Sequence, residues 1–150
     1  MSGSGVDVRA RVLVDGEARA PALVLDEPLS FWGGVDPTTG RIIDRHHPQQ
    51  DVVVSGRILC LPAGRGSSSS SSVIAESIRA GTAPAGIVLR EPDPIIALGA
   101  LVAAELYGSA PPVIVADASA YAAIRTGDRI TLERGGRLIV APAARGQPSG

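Results

Sequence analysis

Hydrophobic and polar residues alternate near the two ends of the chain. Residues 8–14 alternate apolar side chains with arginines, which predicts a half-buried strand, and after an Asp-Gly turn residues 20–25 predict the strand that returns beside it. Near the other end, residues 129–133 and 137–141 flank a Gly-Gly pair, which predicts a hairpin. Both ends of the chain are therefore expected to be β-structure.

The middle of the chain is patterned in apolar blocks instead. The block at 52–61 predicts a buried strand, although Ser-Gly-Arg interrupts it, and residues 73–80 predict a helix that Gly81 ends. The later blocks continue this succession of strand and helix. They are a buried strand at 83–89, an almost wholly apolar helix at 95–107 expected to pack on two sides, a short strand at 112–115 and a weak helix at 117–124.

The order of these elements predicts a mixed α/β fold. Strands come first, a β-α-β-α-β succession follows, and a hairpin ends the series, which suits a compact mixed sheet or a small barrel with two or three covering helices. With 150 residues the chain is long enough for one such core. We expect the domain at residues 7–141, with loose tails at 1–6 and 142–150.

The connection between the central strand and the first helix holds the strongest candidate chemistry. It reads Gly64-Arg65-Gly66 and continues into six serines, residues 67–72. A glycine turn that leads into a helix start points backbone N–H groups and the positive end of the helix dipole at one spot, where an anion is stabilised. Ser67 is the hydroxyl best placed to be held there as an alkoxide base, with the charge of Arg65 beside it.

Two plainer interpretations of this serine run stay open. Serine runs are common in flexible linkers, and Ser67 or Ser68 would also serve as the N-cap of the helix that follows. The position of the run, between a strand pattern and a helix pattern within one small domain, argues against a linker. It does not separate a cap from a base, and neighbouring serines could fill both roles.

A second shaped loop carries the only Trp and the only Phe of the chain. Trp32 is followed by Gly33 and Gly34, and then by Asp36 in an Asp-Pro turn signal. This combination indicates a loop that lines a pocket or a partner surface, although Asp36 is equally suited to forming the turn.

A proline-flanked segment, Glu91-Pro92-Asp93-Pro94, carries two more carboxylates. Two prolines one residue apart disfavour a helix there and predict an extended segment. Asp93 is therefore a further candidate for the pocket or interface, with exposed loop charges as the alternative.

Composition and charge exclude several classes of function. A net charge of −1 offers no basic face to nucleic acid or anionic lipid, and the absence of lysine excludes lysine catalysis within this chain. One cysteine, Cys60, cannot make an internal disulfide or by itself a zinc or iron–sulfur site, and it is expected to be a buried apolar residue. Since a single cysteine cannot hold a metal centre, we expect no metal bound by this chain alone. No signal peptide or membrane-spanning stretch is visible, so we also expect a cytoplasmic protein.

The two histidines are weaker candidates. His46 and His47 are adjacent, so on an extended strand they face opposite ways and make poor joint metal ligands; we expect them at the surface. A Ser-His-Asp hydrolase built from Ser67, one of these histidines and Asp93 is formally possible. It lacks the Gly-x-Ser-x-Gly elbow of that class.

Several stretches together resemble the small subunit of aconitase X, the swivelling-domain piece of the aconitase superfamily. The similarity spans about residues 8–135. The segments that carry it are Phe31-Trp32-Gly33-Gly34-Val35-Asp36-Pro37-Thr38-Thr39-Gly40, Gly56-Arg57-Ile58-Leu59, Pro62-Ala63-Gly64-Arg65-Gly66-Ser67-Ser68, Gly86-Ile87-Val88-Leu89 and Asp93-Pro94-Ile95-Ile96-Ala97.

The resemblance implies a swivelling β/β/α domain that caps a larger subunit. In this family the large subunit holds the iron or iron–sulfur centre, and the substrates are small hydroxy acids, either cis-3-hydroxy-L-proline or mevalonate 5-phosphate. In aconitase relatives the first serine of a Gly-Ser-Ser-Arg segment is the base, which assigns that role to Ser67 and implies that Gly64, Arg65, Gly66 and Ser68 bind substrate. The arginine follows the serines in those relatives but precedes them here, so the role of Arg65 stays open.

Three alternatives remain beside a hydroxyproline dehydratase subunit. The chain could be the small subunit of a mevalonate 5-phosphate dehydratase, for which a phosphate-binding loop is equally suitable. It could also be a non-catalytic swivelling module that binds a partner. A phosphohistidine-carrying swivel domain is the third alternative, but it would need a histidine where this loop has serines.

Overall fold

The computed structural model describes residues 5–31, 33–62 and 69–143. Within these ranges the secondary structure follows the predicted order of strands, alternating strands and helices, and a final hairpin. The elements are β1 (Val6–Arg9), β2 (Arg11–Val14), β3 (Ala18–Val24), β4 (Val35–Asp36), β5 (Arg41–Ile42), β6 (Ile58–Leu61), α1 (Ser69–Ala80), β7 (Gly86–Leu89), α2 (Pro94–Tyr107), β8 (Val113–Val115), α3 (Ala118–Ala122), β9 (Arg129–Glu133) and β10 (Arg137–Ala141).

Eight strands form one mixed sheet in the order β1-β10-β9-β3-β6-β7-β8-β2. The neighbours β3, β6, β7 and β8 run parallel, and the remaining pairs are antiparallel. The two end strands, β1 and β2, are separated in sequence only by Ala10, whose N–H donates to the carbonyl oxygen of Gly136 at 2.7 Å. The chain thus passes directly from one end of the sheet to the other. The result is a nearly closed barrel, and the mixed α/β prediction is confirmed.

The prediction of one continuous strand at residues 8–14 is wrong. Val6 pairs with Val140 in β10, whereas Arg11 pairs with Val115 in β8. An open sheet edge leaves backbone groups unpaired. The break at Ala10 lets the two halves of this segment pair with different strands, β1 with β10 and β2 with β8. The second strand also does not return beside the first, since β3 lies between β9 and β6.

The buried residues form two clusters. One packs α1 and α2 onto the sheet, with Phe31, Leu59, Leu61 and Ile74 among its members. The other includes Ile130 and the side chains of the barrel interior that lie against α3. All four residues of β6 and of β7 are buried, as expected of central parallel strands with apolar groups on both faces.

The predicted boundaries agree best where a glycine ends an element. The terminal hairpin occupies 129–133 and 137–141 as predicted, and α1 ends at Ala80, directly before Gly81. The block at 52–61 is shorter than predicted, because only Ile58–Leu61 is a strand and Val53 makes an isolated bridge with Arg41. The 14-residue α2 is the longest helix within 5–31, 33–62 and 69–143, and none of the helices there could cross a membrane.

Candidate functional site

We define the carboxyl edge of the barrel as the loops that follow β3, β6, β7 and β8; of the predicted site residues that the structure describes, Asp93 lies at this edge. Parallel strands end at the same edge of a sheet, and open α/β sheets bind ligands there. Asp26 lies just beyond β3, Asp93 follows β7, and Asp117 follows β8. The serine-rich connection follows β6, which lies between β3 and β7 at the centre of this edge.

Most of the predicted catalytic segment lies outside the described residues. Gly64, Arg65, Gly66, Ser67 and Ser68, the candidate base and substrate-binding residues, belong to the stretch 63–68. The structure does describe what comes before and after this stretch. Before it, β6 is fully buried and ends at Leu61; after it, α1 begins at Ser69 and runs for 12 residues. The amino end of α1, where the helix dipole is positive, therefore begins two residues after the candidate base in sequence.

The aromatic loop reaches the start of α1. The hydroxyl oxygens of Ser30 and Ser70 are 3.4 Å apart, and Phe31 beside them is buried in the core. A side chain at Gly34 would place its Cβ 2.1 Å from the carbonyl oxygen of Ser30, so only glycine fits there. Gly33 is exposed, and Trp32 lies outside the described residues. The contact between Ser30 and Ser70 was not indicated by any sequence signal, because the two residues are 40 positions apart.

Asp36 lies farther from the carboxyl edge than its neighbours in sequence. Its carboxylate accepts hydrogen bonds from the backbone N–H and the hydroxyl of Thr38, at 2.9 and 2.7 Å, and these bonds lower the pKa of Asp36. The next residue, Pro37, accepts a hydrogen bond from Thr82, just beyond the carboxyl end of α1. The aromatic loop thus runs along α1, and Asp36 stabilises its own turn at the far end.

Asp93 lies at the carboxyl edge as the N-cap of α2. Its carboxylate accepts from the backbone N–H groups of Ile95 and Ile96 at 2.9 and 3.2 Å. The prediction that prolines keep this segment fully extended is wrong at its end, because Pro94 is the first residue of α2. Proline suits that position, since its missing N–H would have no helical partner there.

His47 does not lie at the surface, which contradicts the expectation for the histidine pair, whereas His46 is exposed. The Nε2 atom of His47 lies 3.1 Å from the carbonyl oxygen of Glu27, and Nδ1 accepts from the N–H of Gln49 at 3.0 Å. With both ring nitrogens engaged by backbone groups, His47 is a structural residue that orders the segment after β5.

Gln49 was missed by the sequence interpretation, and it supports the carboxyl edge. Its side-chain oxygen accepts from the N–H of Asp26 at 3.0 Å, and its side-chain nitrogen donates to the carbonyl oxygen of Val24 at 2.7 Å. These bonds fix the end of β3 from a loop more than 20 residues away. A polar residue in a loop carries no sequence signal for such a contact.

The described residues do not provide a metal site. No three His, Cys, Asp or Glu side chains within 5–31, 33–62 and 69–143 are grouped to hold an ion. Cys60 is buried inside β6, as predicted, and burial raises the pKa of its thiol, so it does not supply a thiolate ligand. An iron centre therefore does not fit this part of the chain.

Comparisons with known proteins identify what this fold resembles. The family model of the aconitase X swivel domain matches residues 7–141. A cis-3-hydroxy-L-proline dehydratase of Pseudomonas aeruginosa is 53% identical over 103 residues, which is 69% of this chain but 18% of that protein. A phosphomevalonate dehydratase small subunit of Methanopyrus kandleri is 39% identical over 140 residues, covering 93% of this chain and 100% of that one.

A solved structure agrees with these sequence matches. The crystal structure of Thermococcus kodakaraensis aconitase X in its holo form superposes with a TM-score of 0.80 at 29% sequence identity, covering 90% of this chain and 98% of that chain. This chain thus corresponds to under a fifth of the Pseudomonas enzyme but to the whole of the Methanopyrus subunit. The similarity covers the barrel, the carboxyl edge and the serine-rich connection.

Proposed function

Because this chain belongs to the aconitase X swivel-domain family, we propose that it is the small subunit of a two-chain hydro-lyase that dehydrates a small hydroxy acid. The observation that carries this proposal is the 53% identity to a cis-3-hydroxy-L-proline dehydratase. It favours cis-3-hydroxy-L-proline as substrate and Δ1-pyrroline-2-carboxylate as product. The full-length match to a small subunit favours a separate large subunit as partner, and a cytoplasmic location remains a prediction.

Ser67 is the proposed base. Its alkoxide would take the proton from the carbon next to the substrate carboxylate, while the hydroxyl group leaves from the neighbouring carbon. The amino end of α1, which begins at Ser69, supports this role because the positive end of a helix dipole stabilises an alkoxide. Gly64, Arg65, Gly66 and Ser68 are proposed to bind the substrate carboxylate, with Arg65 as its charged partner.

The iron or iron–sulfur centre expected from the family is proposed to belong to the large subunit. The described residues of this chain do not group three ligands, and Cys60 is enclosed in the core. What this chain contributes is the base, the carboxylate-binding groups and the surface that closes over the substrate. This division leaves the chain inactive without its partner.

Mevalonate 5-phosphate is the second candidate substrate. The Methanopyrus relative that matches this chain along its whole length is a phosphomevalonate dehydratase small subunit. A serine-rich loop at a helix start is also suited to a phosphate group. The two substrates differ in charge and size, so turnover distinguishes them directly.

The test is a dehydration assay on the purified complex of this chain with the large-subunit chain, with both substrates in parallel. We expect turnover of cis-3-hydroxy-L-proline only when both chains are present. Turnover of mevalonate 5-phosphate alone would favour the second candidate. A stable complex that dehydrates neither compound would instead favour a non-catalytic swivelling module.

A further inference from the structure

The helix α2 is apolar on both of its faces, and only one face is covered by the rest of the chain. The inward face packs on α1 and the sheet through Ile96 and four small residues. The small residues are Ala97, Gly99, Ala100 and Ala103, and all five are buried. The outward face carries Leu98, Leu101, Val102 and Leu106, whose exposed fractions are 49%, 50%, 39% and 65%. We call these four residues the outer α2 face.

This arrangement is the reverse of an ordinary surface helix. A surface helix turns its large apolar side chains toward the core and its polar ones toward solvent. Here Leu98, Leu101, Val102 and Leu106 point outward at positions i, i+3, i+4 and i+8 and form one stripe along the helix, in which the exposed Glu105 is the one charged residue of α2. A helix that is apolar all round is expected to be covered on all sides. We predicted that α2 packs on two sides. Among the described residues, only its inward face is packed.

A groove lies beside this stripe. Val102, Leu106 and Tyr107 of α2 and Ala75 and Glu76 of α1 help to line a depression of about 360 Å³. Its rim is polar, because Glu76 pairs with Arg79 at the surface. An apolar centre with a charged rim is the usual anatomy of a protein–protein interface.

We propose that the outer α2 face and this groove are the docking surface for the large subunit. The inference rests on the proposed function, which supplies the partner, and adds where that partner binds. Asp93, the cap at the amino end of α2, lies at the carboxyl edge in the loop after β7, and β7 pairs with β6, the strand that leads into the predicted catalytic segment. A subunit that covers the carboxyl edge therefore also meets the amino end of α2.

The size of the face favours a large partner over a second copy of this chain. A helix of 14 residues is about 21 Å long and about 10 Å wide, so the stripe alone covers a few hundred Å² at most. A stable interface needs about 800 Å² on each partner. Two copies that meet only through α2 fall short of that area, whereas one subunit spanning both the carboxyl edge and the outer α2 face reaches it.

The relatives are consistent with this assignment. In the Pseudomonas dehydratase the matching region is 18% of a single long chain, so most of that chain is available to pack against the domain. In the Methanopyrus relative the matching region is the whole small subunit. When this domain is a separate subunit, as in the Methanopyrus relative, it needs an apolar surface that binds the large subunit without a covalent link.

A matched pair of valines tests the proposal. Val102 on the outer α2 face and Val53 in the loop after β5 are 39% and 38% exposed, so Val102→Glu and Val53→Glu place the same charge at equally exposed positions. The affinity of each variant for the purified large subunit is measured by titration calorimetry. We expect Val102→Glu and Leu101→Glu to weaken binding at least about tenfold, as an interface-centre residue does, and Val53→Glu to stay within about twofold of the unmodified chain.

Folding is checked by circular dichroism and thermal unfolding of each variant. Leu106→Ser, at a position 65% exposed, replaces any glutamate variant that fails to fold and is expected to weaken binding as well. If all folded variants bind as tightly as the unmodified chain, the docking assignment is overturned while the two-chain enzyme stands. If the unmodified chain does not bind the large subunit, the proposed function fails first. A homodimer that Leu101→Glu dissociates, measured by ultracentrifugation, would make a second copy the occupant and overturn the proposal.

Discussion

At the scale of single residues, Asp93 joins the fold to the candidate site. Its carboxylate caps α2 through two backbone N–H groups, and it lies at the carboxyl edge in the loop after β7. A cap needs a side-chain acceptor of the right length, which asparagine also provides. A role of Asp93 toward the substrate would depend on the negative charge of its carboxylate, which asparagine lacks. Substitution by asparagine therefore separates the capping role from the role toward the substrate.

Replacement of Asp93 distinguishes these roles. Asp93→Ala should lower the free energy of unfolding by about 1 kcal/mol, because two N–H groups lose their acceptor. Asp93→Asn should keep most of that stability. Urea unfolding of both variants measures the cap, and turnover of the assembled enzyme measures the charge. Equal stability of the alanine variant and the unmodified chain would show that Asp93 contributes no capping energy.

Tyr121 is a buried polar group without a hydrogen bond. Its hydroxyl is inaccessible to solvent and has no partner among the residues that the structure describes, and burial raises the pKa of this phenol. A buried hydroxyl that loses its water without gaining a bond costs free energy.

Removal of that hydroxyl should therefore stabilise the protein. We expect Tyr121→Phe to raise the free energy of unfolding by about 1 kcal/mol, seen as a higher Tm in thermal unfolding. Tyr107→Phe is the matched control, since Tyr107 is exposed and its hydroxyl keeps its water; it should leave the Tm unchanged. A lower Tm for Tyr121→Phe would mean that the hydroxyl has a partner after all.

Local sequence indicates some residues of the proposed site and not others, and those at 64–68 stay predictions because they lie outside the described residues. The glycine, arginine and serine types at 64–68 indicate an anion-stabilising loop from local chemistry alone. Gln49, which holds the end of β3, and the contact of Ser30 with Ser70 depend on distant parts of the chain coming together. His47 was misjudged for the same reason, because its burial is set by a carbonyl group 20 residues away.

At the scale of elements, the close approach of α1 and α2 depends on Gly99. A Cβ at this position would fall 2.8 Å from the carbonyl oxygen of Ser71 and 2.9 Å from the Cβ of Ile74. Both neighbours belong to α1, and neither can move without displacing that helix. Gly99 therefore fixes how closely the two helices can approach each other.

Gly99→Ala should consequently destabilise the protein, although alanine is the better helix former by about 1 kcal/mol in an open helix. We expect a loss of about 1–3 kcal/mol in the free energy of unfolding, from overpacking between the helices. Gly5→Ala provides a control, because its Cβ would lie at an ordinary 3.6 Å from the nearest atom. A gain in stability for Gly99→Ala in urea unfolding would show that the helices can separate freely.

Elements with strong local signals could be predicted from the sequence, and their partners could not. The hairpin of β9 and β10 matched residue by residue because its strands are adjacent in sequence and joined by a glycine turn. The break between β1 and β2 was missed because a continuous alternation of apolar residues and arginines does not reveal that its two halves pair with different strands, β10 and β8.

At the scale of the whole molecule, no three metal-ligating side chains are grouped among the described residues. The helix α2 begins at the carboxyl edge and carries the outer α2 face, which is exposed. The proposed role as one subunit of a two-chain enzyme accounts for both features. The fold class was predictable from the order of the elements, whereas the outward orientation of the large α2 side chains needed the structure.

The most direct measurement compares Ser67→Ala with Ser109→Ala in the assembled two-chain enzyme, with dehydration of cis-3-hydroxy-L-proline as the readout. Ser109 is exposed just beyond the carboxyl end of α2 and does not line the groove beside the outer α2 face, so it controls for loss of a serine as such. We expect Ser67→Ala to bind the large subunit normally and to lose turnover, while Ser109→Ala keeps turnover near that of the unmodified enzyme. Normal turnover by Ser67→Ala would contradict the proposal that this chain supplies the base.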